Sequence, residues 1–175
     1  MEAERNRTLQ ALRVALQMEI DGREFYLKAS RESSNDLGKK LLQSLAGEED
    51  LHRQKFEEIY QALRDKEGWP ATDFQPDGGK SLRTIIAQAI EETDSEVKAQ
   101  ATELDSVKTA MDMENKTHDY YKSQSRTATY DTERGFYETL AAEAREHYLV
   151  LLDYYEYLKD PAGWFVQKEH PSLDG

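Results

Sequence analysis

The 175-residue sequence contains no cysteine. That excludes disulfides, thiolate nucleophiles, zinc ribbons and thiolate-held iron–sulfur clusters. Any bound metal must therefore be held by carboxylate and imidazole. Proline is scarce, with four residues in all, so few points of the chain are barred from helix. No apolar run approaches the roughly 20 residues of a transmembrane helix. The opening "MEAERNRTLQ" is charged and lacks the apolar core of a signal peptide, so a cytoplasmic protein is expected. Positive charge is in deficit, with 23 Lys and Arg against 35 Asp and Glu and a net charge of −12. Nucleic acid and anionic membranes are accordingly poor partners. No segment shows the β-branched alternation of a strand.

What remains is a chain of Glu, Leu, Ala and Lys suited to amphipathic helices, and long enough for one domain with a sizeable core. The apolar spacing predicts a first helix from about Asn6 to Ser33, with a stripe of Leu9, Leu12, Leu16, Ile20 and Leu27. "SSND", residues 33–36, reads as a turn and N-cap cluster. A second helix follows to about Lys66, facing inward with Leu41, Leu45, Phe56, Ile59 and Leu63. The Pro- and Gly-rich stretch "EGWPATDFQPDGGK" is a loop. Ser81 is the expected cap of a third helix bearing Leu82, Ile85, Ile86, Ala89 and Ile90 and ending or bending near Glu103. A fourth helix should span about Leu104 to Ser125 and a fifth about Thr132 to Lys159, stopped by Pro161. Residues 161–175 are expected to form a tail outside a domain of residues 1–160.

The chain is written twice. "LAGEEDLHRQKFEEIYQAL", from residue 45, matches "LAAEAREHYLVLLDYYEYL", from residue 140, at Leu45/Leu140, Ala46/Ala141, Glu48/Glu143, His52/His147, Tyr60/Tyr155 and Leu63/Leu158. "ALQMEIDGREFY", from residue 15, matches "AMDMENKTHDYY", from residue 110, at Ala15/Ala110, Met18/Met113, Glu19/Glu114 and Tyr26/Tyr121. A constant offset over two helices means a duplicated helical hairpin. Two such hairpins predict an all-α antiparallel four-helix bundle, with an extra helix in the long connection between them.

Glu49 and His52 stand at i and i+3, on one face of a helix, where they can grip one metal ion. Alone this is a weak signal, because 35 acids beside four His give about one Glu-x-x-His by chance. Glu19 and its mate Glu114 strengthen it. Each is a carboxylate in mid-helix near apolar neighbours, which is costly unless paired or bound to a cation. His147 arrives at the repeat position of His52.

These residues together resemble the ferritin-like superfamily, and most the rubrerythrin-type di-iron domain, over about residues 8–160. The resemblance implies iron ligands at Glu19, Glu49, His52, Glu114 and His147, with Glu49 bridging two ions. It implies that Tyr26 or Tyr121 hydrogen-bonds a ligand carboxylate. It further implies a di-iron cofactor, with manganese or zinc as alternatives, and hydrogen peroxide reduction as the activity. Two departures stand out. No Cys-rich electron-transfer module is present, so the electron donor must be a separate redox protein. Ala144 stands where the second half should repeat Glu49, removing one bridging carboxylate. Glu143, four residues before His147, and His118, one turn beyond Glu114, are candidates to fill the gap. The other functional readings are iron oxidation and storage, and a metal-poor bundle serving as a structural or interaction module. A homodimer is the expected oligomer, with hairpins exchanged between chains through the long connection.

Overall fold

A computed structural model describes residues 2–71, 74–92 and 101–169. The described residues form six helices and no strand: α1 (Glu2–Glu32), α2 (Asp36–Arg64), α3 (Lys80–Glu92), α4 (Ala101–Arg126), α5 (Asp131–Lys159) and α6 (Pro161–Glu169). The protein is an all-α helical bundle. Helix α1 packs along α2, and α4 along α5, as the two hairpins of the repeat, with α1 beside α4. Helix α3 leans on α2 and α5. The stretch in which the third helix was expected to approach Glu103, and His170 near the end of the chain, lie outside the described residues.

The predicted inward residues of α2, Leu41, Leu45, Phe56, Ile59 and Leu63, are all buried. Helix α1 differs from expectation. Its innermost line is Leu12, Ala15, Glu19, Gly22 and Tyr26, while Leu9, Leu16, Ile20 and Leu27 only flank it. The line that faces the bundle axis sets Ala15, Glu19 and Gly22 between Leu12 and Tyr26, and such small or polar residues add little to an apolar count. The core falls into two apolar clusters. One gathers Leu41, Leu45, Ala110, Val150 and Leu151. The other gathers Leu12, Phe56, Ile59, Phe136, Tyr137 and Leu140.

Asn35 caps α2 by accepting from the Gly38 amide at 2.7 Å, in line with the "SSND" reading. The start of α3 is a correction. Ser81 lies inside the first turn and donates its hydroxyl to Asp77 at 2.5 Å, and Asp77 also accepts the amides of Gly79 and Ser81. Asp77 is the capping residue because its carboxylate can accept several amides, where a hydroxyl accepts few. Residues 161–169 are likewise more than a tail. After Pro161 the chain forms α6, which buries Trp164 against Tyr157 and hydrogen-bonds its indole to Asp153 at 3.0 Å. Proline is well tolerated in the first turn of a helix, so Pro161 both ends α5 and opens α6.

Glu103, at the start of α4, ties three elements together. It accepts from Ser33 at 2.6 Å, Ser34 at 2.7 Å and Asn35 at 3.1 Å, all in the α1–α2 turn, and from Tyr154 of α5 at 2.7 Å. Burial alone would raise its carboxyl, but these hydrogen bonds hold it below the usual range. Glu103→Ala leaves the buried Ser33 and Tyr154 hydroxyls without this acceptor, and should cost about 2–4 kcal/mol. Urea unfolding of the metal-free protein measures this. A loss below about 0.5 kcal/mol, the ordinary surface value, would show that the clamp does not hold the hairpins together.

Candidate metal centre

Between the two apolar clusters lies a layer of titratable side chains. Helix α1 supplies Glu19, α2 supplies Glu48, Glu49 and His52, α4 supplies Glu114, and α5 supplies Glu143 and His147. All are buried except Glu48, which is half-buried. The i, i+3 and i, i+4 spacings of each helix aim them at the bundle centre.

Their contacts obey the two-fold relation of the repeat. His52 Nδ1 lies 3.2 Å from Glu19 Oε2, and His147 Nδ1 lies 3.2 Å from Glu114 Oε1. Each tyrosine reaches across to the other hairpin: Tyr26 donates to Glu114 at 2.6 Å, and Tyr121 donates to Glu19. The far ring nitrogens also face across, His52 Nε2 to Glu143 at 3.1 Å and His147 Nε2 to Glu48 at 2.6 Å. The imidazoles stack, with ring centroids 6.1 Å apart and planes 10° from parallel. Glu49 has no mate. Its Oε1 is 3.4 Å from His147 Nδ1. It shares one compact group of oxygen and nitrogen atoms with Glu19 and His52, and a second with Glu114 and His147.

The structure thus brings Glu19, Glu49, His52, Glu114 and His147 together, with Tyr121 on the Glu19 oxygen away from His52 and Tyr26 on the Glu114 oxygen that also faces His147. It does not bring His118 to them. That ring sits at the half-exposed surface of α4, 3.2 Å from Asp119. Its repeat mate, Arg23, also lies on the surface, paired with Asp50 at 3.4 Å, and that register was the available signal. Glu143 is inside the layer, where with Glu48 and His147 it forms a third group able to hold an ion. It faces the Nε2 edge of both imidazoles, at 3.1 Å from His52 and 3.7 Å from His147, away from the Nδ1 edge where Glu19 and Glu114 meet. Glu48 was not foreseen as a site residue, although its exact repetition as Glu143 marks both as partners of a histidine. Phe74 was also missed. Its ring meets His52 edge-on at 5.5 Å, from a loop whose pairing no periodicity reveals. Beside it a cleft of about 740 Å³, lined in part by Glu48, Leu51, His52, Phe74 and Glu143, runs from the surface to the layer.

Electrostatics follow from burial. Among the described residues, the ion pairs of these five glutamates are all with His52 and His147, none with Lys or Arg. Burial lowers a histidine, but the Glu19 charge beside His52 and the Glu114 charge beside His147 lift both rings well above their ordinary value. Burial raises Glu19, yet the His52 charge and its hydrogen bonds hold it below the normal range. Hydrogen bonds from His147 and His52 likewise overcome burial at Glu143 and bring it down to about 2. Glu49 goes the other way: burial first, then the adjacent Glu19 carboxylate, push it well above the usual range. Burial and the nearby carboxylates keep both tyrosines protonated as donors.

The rubrerythrin family model matches residues 10–105, just over half of the chain. The chain belongs to the rubrerythrin family. No curated protein and no solved structure gives a significant match. The family match takes in Glu19, Glu49 and His52 and stops short of Glu114 and His147, which the repeat brings into the same layer. The residues present suit the iron that rubrerythrins typically carry. Among the described residues, hard carboxylate oxygens and imidazole nitrogens form three groups, two of them joined by Glu49, and buried carboxylates short of cationic partners favour an incoming divalent ion.

A pH dependence follows for the metal-free protein. Glu49 holds its proton in the fold above the ordinary carboxylate range, so its share of the stability falls as pH rises above about 4.5, and the raised His52 and His147 add to the decline above about 6.5. Glu19 and Glu143 are lowered instead, so stability also falls as pH drops below about 4.5. The melting temperature in chelator should therefore peak near pH 4.5 and fall most steeply above about 6.5. Added ferrous ion should remove the alkaline decline, because it binds the deprotonated ligands. A metal-free melting temperature that keeps rising from pH 6 to 8 would contradict this charge assignment.

Proposed function

We propose that this protein is a di-iron oxidoreductase that reduces hydrogen peroxide with electrons from a separate redox protein. The observation that supports this reading most is the single Glu49 shared by two buried Glu/His groups. Glu19 and His52 would hold one ion, Glu114 and His147 the other, and Glu49 both. Iron bound there supplies two electrons, which with two protons convert one peroxide to two waters.

The chain's own residues provide the rest. Tyr26 and Tyr121 donate to one oxygen of Glu114 and Glu19, which fixes the orientation of those carboxylates. Glu48 accepts from the outer ring nitrogen of His147 and the Glu143 carboxylate lies 3.1 Å from that of His52, which favours the tautomer that leaves each Nδ1 free to ligate. The apolar clusters on either side shield the layer along the bundle axis. The cleft beside Phe74 admits a small substrate at the histidine edge. With no cysteine in the chain, reducing equivalents come from outside it. The expected setting is cytoplasmic and the expected oligomer a homodimer with exchanged hairpins.

Two measurements test this reading. The protein should bind about two iron ions per chain, and the Glu49→Ala/His52→Ala double variant should lose most of them. Unchanged iron content in that variant would sink the site assignment. Anaerobic ferrous protein mixed with one equivalent of peroxide should be oxidised once and then stop until reductant is added. Sustained oxygen release without a donor, or uptake of many more than two irons per chain, would replace the peroxidase reading by dismutation or storage.

A further inference from the structure

Two positions in the layer break the repeat, and they break it as a pair. Glu19/Glu114, Tyr26/Tyr121, Glu48/Glu143 and His52/His147 are each identical across the offset. Glu49 is answered by Ala144, and Gly22 is answered by Thr117. Gly22 is buried in the middle of the 31-residue α1, where glycine is an unfavourable helix former. Its place is explained by what stands against it. A Cβ at position 22 would lie 3.1 Å from Glu49 Oε2 and 3.6 Å from the carboxyl carbon. Contact at 3.1 Å is already tight, and a β-branched side chain would add two more heavy atoms. Position 22, with no side chain, leaves the Glu49 carboxylate room where it stands.

The repeat applies the same geometry to the other hairpin. Thr117 stands on α4 as Gly22 stands on α1, and Ala144 stands on α5 as Glu49 stands on α2. Thr117, half-buried, therefore takes up the space that a glutamate at 144 would need, and Ala144 is only 4% exposed. We propose that Gly22 and Thr117 are the residues that set the carboxylate count of the centre. Gly22 admits a shared carboxylate on one side, and Thr117 excludes its counterpart on the other. Restoring the second glutamate alone does not rebuild a symmetric centre, because the helix opposite must also lose its side chain. The steric part is independent of any metal. Its consequence for binding rests on the two-metal reading.

The test uses the full chain with Ala144→Glu, Thr117→Gly, both together, and Gly22→Thr as the mirror variant. In chelator, Ala144→Glu should lower the melting temperature by about 5 °C or more. Adding Thr117→Gly should recover part of that loss, although Thr117→Gly alone lowers the melting temperature. Gly22→Thr should destabilise the metal-free protein and weaken its ferrous binding at least about ten-fold. Anaerobic ferrous titration should show the double variant binding its second equivalent at least about ten-fold tighter than the parent, with Ala144→Glu alone showing no such gain. A double variant that melts no higher than Ala144→Glu would overturn the proposal. Rescue of melting with no ferrous binding in any variant would uphold the steric pairing and overturn the two-metal reading instead.

Discussion

Burying carboxylates in the middle of a helical bundle is the constraint on which the rest of the structure depends. Glu19, Glu49, Glu114 and Glu143 lie between two apolar clusters, with half-buried Glu48 at their edge. An unpaired charge in such a place costs several kcal/mol. Each polar neighbour in the layer lessens that cost. The two histidines take up protons, the two tyrosines donate to Glu19 and Glu114, and Glu49 tends to keep its own proton. In the metal-free protein these acids are thus partnered by the groups that an ion would displace or recruit.

The repeat turns this local problem into a global one. Neither hairpin satisfies its own acids alone, although His52 meets Glu19 and His147 meets Glu114 within each hairpin. Glu19 on the first is served by Tyr121 of the second, and Glu114 on the second by Tyr26 of the first. His52 faces Glu143, and His147 faces Glu48. These exchanges lie on the seam between α1–α2 and α4–α5, where they add direction to an apolar contact that has little of its own. The Glu103 clamp performs the same service at one end of the bundle, joining the α1–α2 turn to α4 and α5. Polar contacts set the register of the hairpins, and apolar burial supplies most of the stabilisation.

Much of this is legible in the sequence because helices transmit their period faithfully. The inward face of α2, the fold class and the convergence of Glu19, Glu49, His52, Glu114 and His147 follow from spacing and the offset of the repeat. Readings fail where side-chain size or loop geometry decides. The α1 stripe was drawn through the largest apolar residues, whereas the axis is lined by Ala15, Glu19 and Gly22. His118 was assigned by proximity to Glu114 along the helix, but its mate Arg23 shows that this face points outward. Ser81 resembles a cap, yet Asp77 four residues earlier does the capping. Phe74 comes from a loop, and its approach to His52 is a tertiary contact with no periodic trace.

The asymmetry of the layer has a consequence for charge. Glu49 has no mate and belongs to both Glu/His groups, so it is the one carboxylate able to serve two ions at once. A symmetric centre would set four ligand carboxylates against two divalent ions and reach neutrality without help. With Ala144 in place of the fourth, the ions would be one ligand carboxylate short, and the next carboxylates, Glu48 and Glu143, stand at the outer edges of the imidazoles. The open ligand position favours a small anionic or strongly dipolar oxygen ligand. The cleft along Leu51, His52 and Phe74 gives that ligand a route to the layer. Loss of one glutamate need not spoil the site; it can convert a closed, self-neutralised centre into one with a reason to bind something from outside.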